Sequence, residues 1–306
     1  MDWKEEANRL FDTTNLSRRE IGIKLGIPKS TVIDLLAGRN RDHRLPKILI
    51  FDIETAPTLA WTWRRWNENI SHDQVIRDGY VITWAAKWLG EDAIMSDSLF
   101  NNQRHYWKSP EDDKNIMSTL WKLMDEADIL VAHNGDKFDI PLVNARFLKH
   151  GFDQPSPYKA IDTLKIARKQ FRFESNQLKS IGRYLGEGEK LETGGFGLWR
   201  DCMNGVPEAW EKMLAYNCED TCLLERIYMR LRPWHKGHPN VSLYGDNGKM
   251  RCVCCGSEDL LITDKHCYTS VSQFSVWKCR ECRKFNRARV NTKSKEQREN
   301  VLTNAL

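Results

Sequence analysis

The sequence predicts an α/β protein, with a mixed sheet flanked by helices, a helix-turn-helix-like unit before it and a small cysteine module after it. Three observations carry that expectation. Between Lys47 and Trp234 strand-sized apolar runs alternate with segments of helical period. Ahead of them the chain is patterned only as short helices, and behind them the composition turns to Gly, Asn, Asp and Cys. The 306 residues, 41% hydrophobic, suffice for one large domain with smaller attachments. The longest apolar runs, 48–51 and 129–132, fall far short of the roughly 20 residues that cross a bilayer. The N-terminus is charged from Asp2 onward and lacks the pattern of a secretory signal, so a cytoplasmic location is expected.

Residues 1–40 read as helices over 5–11, 17–25 and 29–37. Ser17 and Glu20 have capping-box spacing, Gly26 closes the second helix, and Pro28 restarts the chain. Ile21, Leu25, Ile27, Val32, Leu35 and Leu36 are spaced to pack the last two helices together. Lys29, Ser30 and Thr31 then face outward at the end that enters the major groove in a helix-turn-helix. The unit resembles the DNA-binding units of site-specific regulators and recombinases, and a plain helical hairpin is the other reading. A basic linker, 41–46, leads to the core.

In the core, 47–234, strands are expected over 47–54, 80–89, 93–99 and 128–133. Helices are expected over 114–127, 140–149 and Pro207–Leu231, the last opening on proline. Gly186, Gly188, Gly194, Gly195 and Gly197 mark a stretch too flexible for a packed element, expected to be a mobile loop over the substrate strand.

Three fragments carry the candidate chemistry. In Phe51-Asp52-Ile53-Glu54-Thr55 the two acids project from one side of a strand, and two carboxylates so placed repel unless a cation sits between them. An acid-x-acid pair at a strand end is also often a turn or cap. In His133-Asn134-Gly135-Asp136-Lys137-Phe138-Asp139 a buried strand runs into a polar turn, and both Asp136 and Asp139 are candidate ligands. In the long helix Tyr216 and Asp220 share a face that Met213, Leu224, Ile227 and Leu231 continue as an apolar stripe. A carboxylate there is costly unless paired or metal-bound.

In order and wording the three fragments resemble the motifs of the DEDD exonuclease superfamily, which has a ribonuclease-H-like fold. Ile161-Asp162-Thr163-Leu164 followed by Ala167-Arg168 is similar to a further family stretch, so the resemblance covers 48–231. Within the superfamily it runs to phage-encoded and bacterial exonucleases related to the proofreading domains of family B DNA polymerases. The subclasses carry histidine five residues before the last aspartate or tyrosine four before it; here Ala215 and Tyr216 stand at those places, which implies the tyrosine subclass. The resemblance implies that Asp52, Glu54, Asp139 and Asp220 hold two Mg²⁺ or Mn²⁺ ions about 4 Å apart, which stabilise the attacking and leaving oxygens of the phosphodiester. It makes Tyr216 the catalytic residue that positions the attacking water, and Phe138 a seat for the terminal nucleotide. His133 is expected to be structural and Asp162 a helix cap.

Of nine cysteines, six lie between Cys252 and Cys282. Cys252, Cys255, Cys279 and Cys282 form two C-x-x-C knuckles, the pattern of a structural zinc site in a zinc-ribbon-like module, 248–290, with Cys254, Cys267 and His266 as alternative ligands. The basic tail, 291–306, continues a segment, 278–298, with nine basic residues against two acidic ones. Lys284, Arg287 and Arg289, with exposed aromatics such as Trp277 and Phe285, are expected to grip nucleic acid. The leading expectation is a 3'-to-5' exonuclease on the 3' end of a single strand, DNA favoured over RNA, with duplex DNA at the helix-turn-helix. The alternatives are a DNA-binding regulator with a silent nuclease core and a structure-selective endonuclease of the same fold.

Overall fold

A computed structural model describes residues 2–14, 16, 18–28, 31–32, 35, 45–188, 194–244, 248–303 and 305. In chain order α1 (Trp3–Thr13) and α2 (Arg18–Leu25) precede β1 (Ile48–Thr55), a hairpin of β2 (Leu59–Ala60) and β3 (Val75–Arg77), β4 (Val81–Trp88) and β5 (Met95–Ser98). Then come α3 (Gln103–Lys108), α4 (Lys114–Glu126), β6 (Ile129–Ala132), α5 (Asp139–Lys149), β7 (Lys159–Asp162), α6 (Thr163–Gln170), α7 (Leu178–Leu185), α8 (Gly197–Met203) and α9 (Pro207–Leu231).

The sheet runs β5-β4-β1-β6-β7, with β4 antiparallel to β1, β5 antiparallel to β4, and β6 and β7 parallel. It is a mixed sheet flanked by helices. β1 is buried on both faces, which its continuous Ile-Leu-Ile-Phe run allows. Leu49, Phe51 and Ile53 pack with Met117 and Leu120 of α4 and Phe147 of α5. Ile48 and Ile50, on the other face, pack with Leu224, Ile227 and Leu231 of α9. The same alternation sends Asp52 and Glu54 out on the α9 side, just past the apolar contact.

Several elements lay outside the sequence reading: the β2–β3 hairpin, α3, β7 and α7. The glycine stretch needs a correction at its far end. Gly197 opens α8, and Leu198 and Cys202, four residues apart, are buried against the core, so this part is a packed element. Residues 189–193 lie outside the described residues.

At the N-terminus Ala7, Leu10, Ile21 and Val32 form a small buried cluster, and Gly26 closes α2 at φ +66°. Most of the expected helix over 29–37, including Lys29 and Ser30, lies outside the described residues, as do linker residues 41–44. The C-terminal lobe is an antiparallel sheet, β10-β9-β8, of β8 (Leu260–Tyr268), β9 (Gln273–Cys279) and β10 (Phe285–Asn291), followed by α10 (Lys295–Glu299). It meets the core through the Val241 amide on the Val253 carbonyl (2.8 Å) and through Gly256, where a Cβ would come within 2.1 Å of Leu45. No described helix is long and apolar enough to cross a membrane.

Candidate active site

Three acids converge where β1 leaves the sheet. Asp52 and Glu54 come from alternate positions of β1, and Asp220 from the buried face of α9; an oxygen from each lies within 4.8 Å of the others. Asp139 opens α5 and is buried, and the Ile53 amide donates to its carboxylate. All four line one cleft of about 520 Å³, with Phe138, 42% exposed, at its wall.

The turn after β6 puts Asp139 there. Asn134 takes φ +70°, a conformation Asn tolerates, and the Phe138 amide donates back to the Asn134 carbonyl. A Cβ on Gly135 would lie 2.5 Å from the Cβ of Ala132, so only glycine fits the turn. Asp136 points elsewhere and pairs with Lys165 at 2.5 Å. Of the two candidate acids, Asp139 is the one in the cleft. Asp162 caps α6, accepting from the amides of Asn134, Leu164 and Lys165. His133 spends both ring nitrogens on Thr163 Oγ1 and the Asn176 carbonyl, at 2.9 Å each.

Two residues of the site had no role in the sequence reading. Asn217 is fully buried; its Nδ2 donates to Asp52 Oδ2 at 2.7 Å, and its Oδ1 accepts from Thr83 Oγ1 at 3.1 Å. The available signal was spacing, since Asn217 stands three residues before Asp220 and so shares its helix face. Arg168, exposed on α6, brings a guanidinium to the rim of the acidic cleft.

Burial and charge set the protonation states. Burial holds the Tyr216 phenol well above its usual range, reinforced by Asp220, Glu54 and Asp52, and its hydroxyl donates to Asp220. Tyr216 is therefore a neutral donor. Burial pushes Asp139 up to about 7, against the lowering effect of its own amide and that of Ile53, while Asp162 raises it further. Acids gathered this closely fit a divalent cation, and an all-oxygen donor set fits Mg²⁺ or Mn²⁺.

In the C-terminal lobe one sulfur from each of Cys252, Cys255, Cys279 and Cys282 lies within 4.8 Å of the others. Cys252 and Cys282 are 3.5 Å apart, and Cys255 and Cys279 3.6 Å. These spacings are too long for disulfides and near the edge, about 3.8 Å, of a tetrahedron built on Zn–S bonds of about 2.3 Å. Cys254 is buried beside them, outside this group of four.

The residues read as nucleic-acid contacts are scattered. Thr31, Arg287 and Arg289 are exposed, and Arg287 stacks on Phe274 at 4.5 Å. Lys284 is half-buried and donates to the His235 carbonyl at 2.8 Å, so its ammonium ties the lobe to the core. Trp277 is half-buried, contrary to the exposed aromatic expected there, because it pairs between β8 and β10; Phe285 is exposed.

Residues 93–232 match the family model of the RNase_H superfamily. This stretch, from just before β5 to the end of α9, is thus ribonuclease-H-like. A DNA polymerase III of PolC type from Ureaplasma parvum serovar 3 is 31% identical over 154 residues, 46% of this chain and 10% of that polymerase. The chain thus spans about a tenth of that relative's length. Among solved structures, the family B DNA polymerase from the archaeon Pyrobaculum calidifontis is similar at a TM-score of 0.47 and 15% identity, over 62% of this chain and 25% of that one.

Proposed function

We propose that this ribonuclease-H-like domain is a divalent-metal-dependent 3'-to-5' exonuclease of the tyrosine-type DEDD group, hydrolysing the terminal phosphodiester of a nucleic acid strand, DNA favoured. The observation that supports it most is the convergence of Asp52, Glu54 and Asp220 with Asp139 in one open cleft, with the Tyr216 phenol buried beside the acids, outside the residues that line it. Asp52, Glu54 and Asp220 would hold one Mg²⁺ or Mn²⁺, and Asp139 with Asp52 a second. When bound, such ions neutralise charge developing on the attacking and leaving oxygens.

The chain's own groups do the rest. Tyr216, kept protonated, does not take the water's proton; with Asp220 engaged by a metal ion, its O–H would be released from Asp220 to orient the attacking water. Asn217 fixes the rotamer of Asp52 from behind. Phe138 offers a ring face to the terminal base, and Arg168 a guanidinium to a phosphate. The four cysteines would hold one structural Zn²⁺, which folds the lobe and takes no part in hydrolysis.

The test is degradation of 3'-labelled and 5'-labelled single-stranded DNA and RNA with Mg²⁺, Mn²⁺ or chelator. Expected are mononucleotides released from the 3' end only with metal, abolished in Asp52→Ala and reduced about 10- to 100-fold in Tyr216→Phe. Internal cuts would replace the exonuclease by an endonuclease. Binding of every substrate without cleavage would make the chain a DNA-binding regulator.

A further inference from the structure

The excursion between β1 and β4 places three tryptophans where the fold gives them nothing to cover. Trp61, Trp63 and Trp66 are 73%, 92% and 81% exposed, and Arg64 and Arg65, also exposed, stand between them. The backbone beneath is well fixed. Trp61 exchanges hydrogen bonds with Gln74, its amide donating to the Gln74 carbonyl (2.9 Å) and its carbonyl accepting from Nε2 (3.0 Å). Glu68 accepts from the amides of Trp63 (3.1 Å) and Arg64 (2.7 Å), and Asn67 turns the chain at φ +53°. A turn so tied could have folded its indoles inward, yet they face solvent, and exposed apolar clusters on a folded chain mark binding surfaces.

We infer that Trp61, Trp63 and Trp66 form a stacking platform for the bases of single-stranded nucleic acid, with Arg64 and Arg65 on its phosphates, feeding the cleft. This rests on the nuclease reading above. Charge complementarity favours this occupant: residues 61–67 carry two arginines and no acid, which suits a polyanion. Indoles beside guanidinium groups are the chemistry that grips unpaired bases of any sequence. The platform is also on the right edge. It leaves β1 directly after Glu54 and Thr55, and the Ala56 amide on the Tyr80 carbonyl (2.8 Å) closes its base. Seven residues of chain keep Trp61 within about 25 Å of Glu54, a distance a few nucleotides bridge.

The test is binding by the full chain of a fluorescein-labelled dT 20-mer, read by anisotropy with Ca²⁺ in place of Mg²⁺, beside an abasic strand of equal length. Trp63→Ala is expected to weaken dT binding about fivefold or more, and Trp61→Ala/Trp63→Ala/Trp66→Ala about thirtyfold or more, with a far smaller change on the abasic strand. Trp63→Phe should restore most of the loss. Arg64→Gln/Arg65→Gln should flatten the salt dependence by about two phosphate contacts. An unchanged affinity in the triple variant, with its thermal melt preserved, would overturn the platform, and so would an equal loss on the abasic strand. So would a wild-type dimer that the triple variant turns into a monomer, since a second copy would then cover the indoles. Hydrolysis of the p-nitrophenyl ester of thymidine 5'-monophosphate by the wild type, compared with Asp52→Ala, reads the nuclease chemistry separately. If the ester is cut and the triple variant binds normally, the platform alone fails; if it is not cut while the tryptophan losses appear, the nuclease reading alone fails.

Discussion

The acidic cleft and the cysteine lobe both gather ligands of metal-binding type, but they stand on unequal foundations. Behind Asp52 and Glu54 lie Phe51, Ile53, Val131 and Leu224, all buried in two apolar clusters that cover both faces of the sheet. Around the four cysteines the buried cluster consists of two of them, Cys252 and Cys279, and of Cys254, with Leu260 partly buried beside them. β8 has no buried residue. In the cleft the fold builds the site, whereas in the lobe the site must build the fold.

The largest expected effect follows from that inequality. Cys279→Ser removes a fully buried thiol from a lobe with almost no other core; in zinc sites of the proposed class the metal contributes on the order of 10 kcal/mol to folding. Limited proteolysis should cut within 248–290, while hydrolysis of the thymidylate ester falls less than about threefold. A lobe that stays protease-resistant would mean that it folds without metal, and the contrast would collapse. Asp52→Ala should do the reverse. Activity is expected to fall at least about 10³-fold, the scale of a lost electrostatic element. The melting temperature should hold or rise, because one of three converging carboxylates is gone.

Next comes pH. The folded Asp139 carboxyl, pushed up to about 7 from an ordinary 3.8, keeps a proton that the unfolded chain gives up. Between about pH 4 and 7 the unfolded state therefore binds fewer protons, and stability falls as pH rises. Thermal melts in chelator should show this decline, Mn²⁺ should reverse it most at high pH, and Asp139→Asn should flatten it. The lobe should respond with the opposite sign, since thiols bind zinc better as pH rises. A chelated wild type whose core melts alike at pH 5 and pH 8 would show that Asp139 does not carry this burden.

How much of this could be read from the sequence depends on pattern length. α9 was expected at its observed bounds, Pro207–Leu231, because its apolar stripe repeats over several turns, and the shared face of Asp52 and Glu54 follows from strand alternation alone. β2, with two residues, has no period to detect, and α8 offered one apolar i,i+4 pair behind a glycine. Tertiary contacts decided the remainder: Lys284 turned onto His235 and Trp277 half-covered between strands, neither of which a basic or aromatic letter can foretell. The tyrosine at 216 was legible, but the strength of its hold on the proton was not, for that comes first from burial and then from the acids that β1 and α9 bring beside it.

Asn217 gives the smallest expected effect and the sharpest one. It holds Asp52 from the side away from the cleft, and Thr83 in turn holds Asn217. Asn217→Ala leaves the Asp52 carboxylate in place but free to rotate, so the loss should appear in metal affinity, about tenfold, a typical size for a residue that orients a ligand. The midpoint of a Mn²⁺ titration of activity should shift upward while the rate at saturating Mn²⁺ stays within a few-fold of wild type. A purely packing role would lower the melting temperature and leave that midpoint where it was. The parallel residue in the cysteine lobe is Asn286, buried, whose Oδ1 accepts from the Val253 amide inside the first knuckle (2.9 Å) and whose Nδ2 donates to the Lys284 carbonyl (3.0 Å). With so little core behind it, Asn286→Ala should lower the stability of the lobe itself, where Asn217→Ala shifts only a metal midpoint.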